Sequence, residues 1–148
     1  MANVARPFGG GVFIADTSAW ARAERSSTLD GFGAALRGGQ IATCAIVSLE
    51  FLHSARNGDE FDDRMSLLAQ LRDVPISRSV TTAALRAYRD LAHRQPLFHR
   101  SVKLPDVLVA AAAADAAIGV LHYDADFDTL AEVLPFESHW IAPRGSLD

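Results

Sequence analysis

At 148 residues, 49% of them hydrophobic, the chain suits one compact domain burying roughly 70% of the surface its unfolded form would expose, with no room for a second. A net charge of −4 argues against a nonspecific nucleic-acid coat, whose affinity would rest on Lys and Arg. The single cysteine, Cys44, excludes an internal disulfide and a multi-cysteine zinc site, and its apolar neighbours suit a buried, inert thiol in a reducing cytoplasm.

The longest apolar stretch, Val107 to Val120, is cut by Asp115 and Gly119 and falls short of a bilayer span of about 20 residues, so no membrane association is expected. Residues 1–11 lack the apolar core of a secretory signal and read as a loose lead-in. Residues 12–142 then form the single domain, and 143–148 a short tail.

The run Gly11–Ala15 followed by Asp16, Thr17 and Ser18 predicts a buried strand entering a capped helix through Trp20, Ala21 and Ala23. Leu29, Phe32 and Leu36 recur at helical spacing and stop at Gly38 and Gly39, where glycine closes a last turn. That stripe is a core face by default and a partner-docking groove otherwise. Residues 40–44 predict a second strand, and 46–56 a helix with Ile46, Leu49 and His53 along one stripe. Residues 59–73 predict another helix with Phe61, Met65, Leu68 and Leu71 apolar, then Val74, Pro75 and Ile76 a brief extended piece.

A helix over 79–93, capped by Ser79, would turn Ala84, Leu85, Tyr88 and Leu91 inward. Pro105 suits a first helical turn, and the alanine-rich stretch behind it favours helix to Ala117. Residues 120–123 read as a strand, Phe127, Leu130, Ala131 and Leu134 as a helix, and 139–141 as a last strand. Alternating strands and helices predict an α/β domain, a three-layer α/β/α sandwich with a mainly parallel central sheet, whose ligands bind outside the carboxyl ends of the strands.

Asp16 and Asp124 fall at those strand ends, Asp106 at a helix start, and Glu50 inside an apolar helix. Each has an ordinary explanation. Asp16 is placed like a helix N-cap, Asp106 like a counter-charge to a helix dipole, and Asp124 and Asp126 like turn and cap residues. Glu50, among Val47, Leu49, Phe51 and Leu52, should be desolvated and need a cation or an Arg beside it. Asp115 falls on the opposite helix face from Asp106, Asp62 and Asp63 share a solvated stripe with Glu60 and Arg64, and Asp128 reads as exposed. Together, the remaining acids match a Mg²⁺ site for phosphodiester chemistry, because hard cations take oxygen ligands and few carboxylates suffice beside a substrate phosphate. Without the ion, their mutual repulsion should loosen the fold.

At these residues the sequence resembles the PIN-domain family, and within it the VapC-type ribonuclease toxins of bacterial toxin–antitoxin pairs. The resemblance runs from Phe13 to Ile141 and is carried by Asp16-Thr17-Ser18-Ala19, the helical Glu50, Leu104-Pro105-Asp106 leading into Leu108-Val109-Ala110-Ala111, and His122-Tyr123-Asp124-Ala125-Asp126-Phe127. It implies an acidic quartet of Asp16, Glu50, Asp106 and Asp124, with Asp16, Asp106, Asp124 and the accessory Asp126 toward the metal, and Glu50 completing its shell or orienting the attacking water. Thr17 and Ser18 take the place of small hydroxyl residues that order the first ligand. Two departures stand out: a longer lead-in, and His122 where many relatives carry Ser or Thr.

The implied reaction is endonucleolytic hydrolysis of RNA, tRNA or rRNA, dependent on Mg²⁺ with Mn²⁺ as a substitute, and inhibiting translation. The implied partners are a cognate VapB-type antitoxin and a second copy of the chain, with higher assembly in the antitoxin complex. Between Arg86 and Lys103 five cations face Asp90 alone, and Arg94, Arg100 and Lys103 could guide the RNA backbone into the cleft. Trp20 and Tyr123 stand near acids and suit base stacking, with packing the default for Trp20. The alternatives are a non-catalytic PIN-fold module binding RNA or protein, an α/β phosphatase or phosphoacceptor, and a metal-independent histidine ribonuclease. Ser18 stands where a haloacid-dehalogenase-like phosphatase needs its second Asp, and the five histidines show no paired spacing.

Overall fold

The computed structural model describes residues 6–147. Five strands, β1 (Phe13–Ala15), β2 (Ile41–Cys44), β3 (Arg72–Val74), β4 (Gly119–His122) and β5 (Ser138–Trp140), form one sheet in the order β3-β2-β1-β4-β5, every pair parallel. Parallel neighbours need crossovers. Helices α1 (Thr17–Trp20), α2 (Leu29–Arg37), α3 (Ala45–His53), α4 (Gly58–Leu68), α5 (Arg78–Arg94), α6 (Leu104–Asp115) and α7 (Asp126–Leu130) supply them. The expected α/β/α sandwich is what forms, and its sheet is parallel throughout.

Period-two alternation divides the core between the two faces of the sheet. Ile14, Ala42, Cys44 and Val120 join one apolar cluster with Leu91 of α5, Val109 and the alanines of α6, and Phe127 and Leu130 of α7. Phe13, Ala15, Ile41 and Leu121 join a second with Ala19 and Phe32. Every residue of β1, β2 and β4 is buried, which is why these strands are apolar except at Thr43 and His122.

Several boundaries differ from the expectation. The helix expected over 59–73 ends at Leu68, and Arg72–Val74 is the edge strand β3. The cap of α5 is Ser77, whose hydroxyl accepts from the Val80 N–H, and not Ser79, which reaches Asp115 instead. Leu85, Phe61 and Met65, expected inward, are exposed, because α4 and α5 each pack along one narrow side. Of the expected loose lead-in, residues 1–5 lie outside the described residues. Arg6 to Gly11 is tied down: Gln40 donates from its side-chain amide to the carbonyls of Pro7 and Gly11, and Arg6 donates to Gly38. The tail docks as well, with the Leu147 N–H donating to the Tyr123 hydroxyl. Among the described residues no helix is long and apolar enough to cross a membrane.

Candidate metal centre

Strand order reverses between β1 and β4, so the crevice beyond their carboxyl ends is the switch point of the sheet. Asp16 follows β1 directly and Asp124 lies just past β4. The Asp16 N–H donates to the Leu121 carbonyl, which locks the two strand ends side by side. A cleft of about 800 Å³ opens there, lined by Asp16, Thr17, Glu50, Lys103, Asp106 and Asp124.

Asp16 is both an N-cap and a cleft residue: its carboxylate accepts from the Ser18 N–H at 3.1 Å and the Ser18 hydroxyl at 2.7 Å. Ser18 Oγ in turn accepts from the Tyr123 N–H, so one hydroxyl ties the Asp16 carboxylate to the segment carrying Asp124. Asp106, in the first turn of α6, is delivered by Pro105 and by the alanine face that seats α6 in the core. It is only 6% exposed, and its Oδ2 has no hydrogen-bond partner among the described residues. Asp106, Asp124 and Asp126 offer carboxylate oxygens that all lie within 4.8 Å of one another. Asp16 sits outside that tightest trio but shares the cleft and its field.

Repulsion at such distances is substantial: two like charges about 5 Å apart cost roughly 3 kcal/mol at an effective dielectric of 20. Burial first, and then the charges of Asp16 and Asp124, push the Asp106 carboxyl well above the ordinary range. Burial likewise raises Asp16, against the hydrogen bonds from Ser18. Asp124 moves the other way. Its partial burial is outweighed by the Lys103 ammonium, whose Nζ lies 2.8 Å from Asp124 Oδ2 but 3.9 Å from Asp106 Oδ2. A buried carboxylate oxygen without a donor, in an all-oxygen set, fits a hard divalent cation.

Glu50 corrects its expectation. It is exposed beside Leu49, which is itself 66% exposed, and its partner is neither a cation nor an Arg but the Thr17 hydroxyl, which donates to Oε2 at 3.3 Å. Partial burial and the charge of Asp16 raise its carboxyl. Of the three expected RNA-guiding cations, only Lys103 joins the cleft. Arg94 pairs with Glu132 at 3.2 Å, and Arg100 stands exposed on the 3-10 turn Phe98–Ser101. Tyr123 is buried with its ring under the Arg22 guanidinium, which removes it as a base platform, while Trp20 stacks on Phe51 at the cleft wall.

Sequence reasoning missed Phe51, His53 and Arg64 as cleft residues. Arg64 lies over the Phe51 ring, bonds Glu60 and donates to the Phe51 carbonyl, all consequences of α4 folding back on α3. The only local sign was the Glu60–Arg64 spacing of an i,i+4 pair. His122 is fully buried: its Nδ1 accepts from the Asp124 N–H, and its Nε2 faces Ser138 Oγ at 2.7 Å.

The backbone resembles solved toxin–antitoxin complexes. The VapBC-5 structure from Mycobacterium tuberculosis matches with a TM-score of 0.62 and 23% identity, covering 88% of this chain and 98% of that one. A DNA-bound VapBC from Salmonella typhimurium matches with a TM-score of 0.65 and 13% identity over the same shares. In sequence, the chain is 40% identical over 136 residues to Ribonuclease VapC18 of Mycobacterium tuberculosis, spanning 92% of this chain and 99% of the relative. Ribonuclease VapC51 of the same organism is 35% identical over 136 residues, 92% of this chain and 97% of its own. The family model for the PIN domain matches residues 13–133, which takes in β1, β4 and every acid of the cleft, and the chain therefore belongs to the PIN-domain family.

Proposed function

We propose that this chain is a Mg²⁺-dependent endoribonuclease toxin of the VapC type, cytoplasmic, cutting loops of tRNA or rRNA and held in check by a VapB-type antitoxin. The observation that carries the reading is the buried Asp106 carboxylate beside the switch-point cleft: its Oδ2 has no hydrogen-bond partner among the described residues, and the residue offers an oxygen within 4.8 Å of one on Asp124 and one on Asp126. The relatives named ribonucleases support the chemistry, and the solved toxin–antitoxin complexes support the partner. Homodimerisation through the same fold, with higher assembly around the antitoxin, belongs to this reading.

Asp16, Asp106, Asp124 and Asp126 would hold the ion. When bound, Mg²⁺ would lower the pKa of a bound water and offset the charge building on the phosphate oxygens. Ser18 keeps the Asp16 carboxylate turned to the cleft, and Thr17 holds Glu50 at its rim. The raised basicity of Glu50 suits it to orient the attacking water and take its proton.

Purified protein, Asp16→Asn and Asp106→Asn should be compared on total RNA by mapping of 5′ ends. Each variant should lose roughly a hundredfold or more of the cleavage rate. EDTA should abolish wild-type cleavage, with Mg²⁺ or Mn²⁺ restoring it. A cleavage map unchanged by Asp106→Asn removes the catalytic assignment.

A further inference from the structure

Lys103 is the only lysine in the chain; every other strong cation is an arginine. Its Nζ lies 2.8 Å from Asp124 Oδ2, 3.1 Å from Asp126 Oδ2 and 3.9 Å from Asp106 Oδ2. These are the same three residues whose oxygens close to within 4.8 Å of one another. The ammonium therefore stands where a divalent ion would need to stand. A compact point charge on a flexible stem can enter and leave such a pocket; a planar guanidinium, fixed by its fork, is less suited to both.

We propose that Lys103 is a tethered counter-ion of the metal centre, which the divalent cation must displace, so that metal entry turns the ammonium outward toward the approaching RNA phosphate. The inference rests on the metal reading above and adds a competitor to it. Three features support displacement rather than permanent pairing. A single positive charge and a double one cannot share a pocket of this size without strong repulsion. The Lys103 side chain is 64% exposed, so it can swing away without opening the core. Finally, the Lys103 backbone N–H donates to Asp126 Oδ2 at 3.1 Å, and this bond keeps Asp126 in place when the ammonium departs.

Isothermal titration of the full chain with Mg²⁺ and Mn²⁺ should show Lys103→Met binding about three- to tenfold more tightly than wild type, and Lys103→Arg no more tightly. Because the chain has one lysine, reductive methylation read by mass spectrometry reports on it alone once the N-terminal amine is set apart. Mg²⁺ should speed that methylation severalfold. Equal or weaker affinity in Lys103→Met overturns the inference, and so does a methylation rate that Mg²⁺ leaves unchanged. Failure of every protein to bind either ion overturns the metal reading and this inference with it, whereas tight but equal binding overturns this inference alone.

Discussion

His122 shows how a buried side chain can serve the site without touching it. Ser138 donates its hydroxyl proton to Asp128 Oδ1 at 2.6 Å, so the same oxygen accepts from His122 Nε2, and Nδ1 is left to accept the Asp124 N–H. That network assigns a neutral ring, and burial holds the pKa down at about 4. A histidine depressed in the fold contributes its full share of stability above its unfolded value near 6.5 and loses it as pH falls toward 4. The loss amounts to roughly 3 kcal/mol at 1.36 kcal/mol per unit. Denaturant unfolding of wild type and His122→Asn across pH 7 to 4 should show the wild type falling by about that amount relative to the variant. Parallel curves would refute the buried neutral ring. At this scale the acids were legible from their types and order, Glu50 among them, but the exposed setting of Glu50 was not, because helical periodicity cannot say that Leu49 beside it has nothing to cover it.

At the level of elements, Gly119 is the sharpest case. Glycine before an apolar run reads as punctuation, and the strand was expected to begin at Val120. In the fold Gly119 is the first residue of β4, paired with Phe13, and a Cβ built on it would meet Phe13 Cδ1 at 2.7 Å and the Glu137 carbonyl at 2.8 Å. One of those neighbours is backbone and the other a fully buried ring, so neither can yield cheaply. Gly119→Ala should therefore destabilise by about 1–3 kcal/mol, measured from urea midpoints. A neutral substitution would mean that β1 and β4 can slide apart. Ser77 and Ser79 teach the same lesson for helices: both are good caps in sequence, and only the path of the chain chooses between them.

For the molecule as a whole, metal binding in the acidic cleft would link stability to the ion. The carboxyls of Asp16 and Asp106 are raised in the fold, so each favours its neutral form there. Their contribution is full below the unfolded pKa and is lost as pH rises through the raised value, which leaves metal-free protein penalised at neutral pH. A divalent ion held there would reverse this. At a hundred times its dissociation constant a ligand that binds only the folded state adds about 2.7 kcal/mol. Calorimetry at pH 7.5 should show the transition rise steadily with Mg²⁺ in wild type and stay flat in Asp106→Asn. A wild-type transition that saturating Mg²⁺ leaves unmoved would contradict the site.

The order of strands and helices, the two-sided burial of β1, β2 and β4, and the four acidic segments follow from local pattern, because burial periodicity and cap chemistry act over a few residues. Which acids close into one trio, that Lys103 stands among them, and that Arg94 turns away to Glu132 depend on contacts between segments far apart in the chain. Charges act through space at distances set by packing, and that distance is written only in the folded molecule.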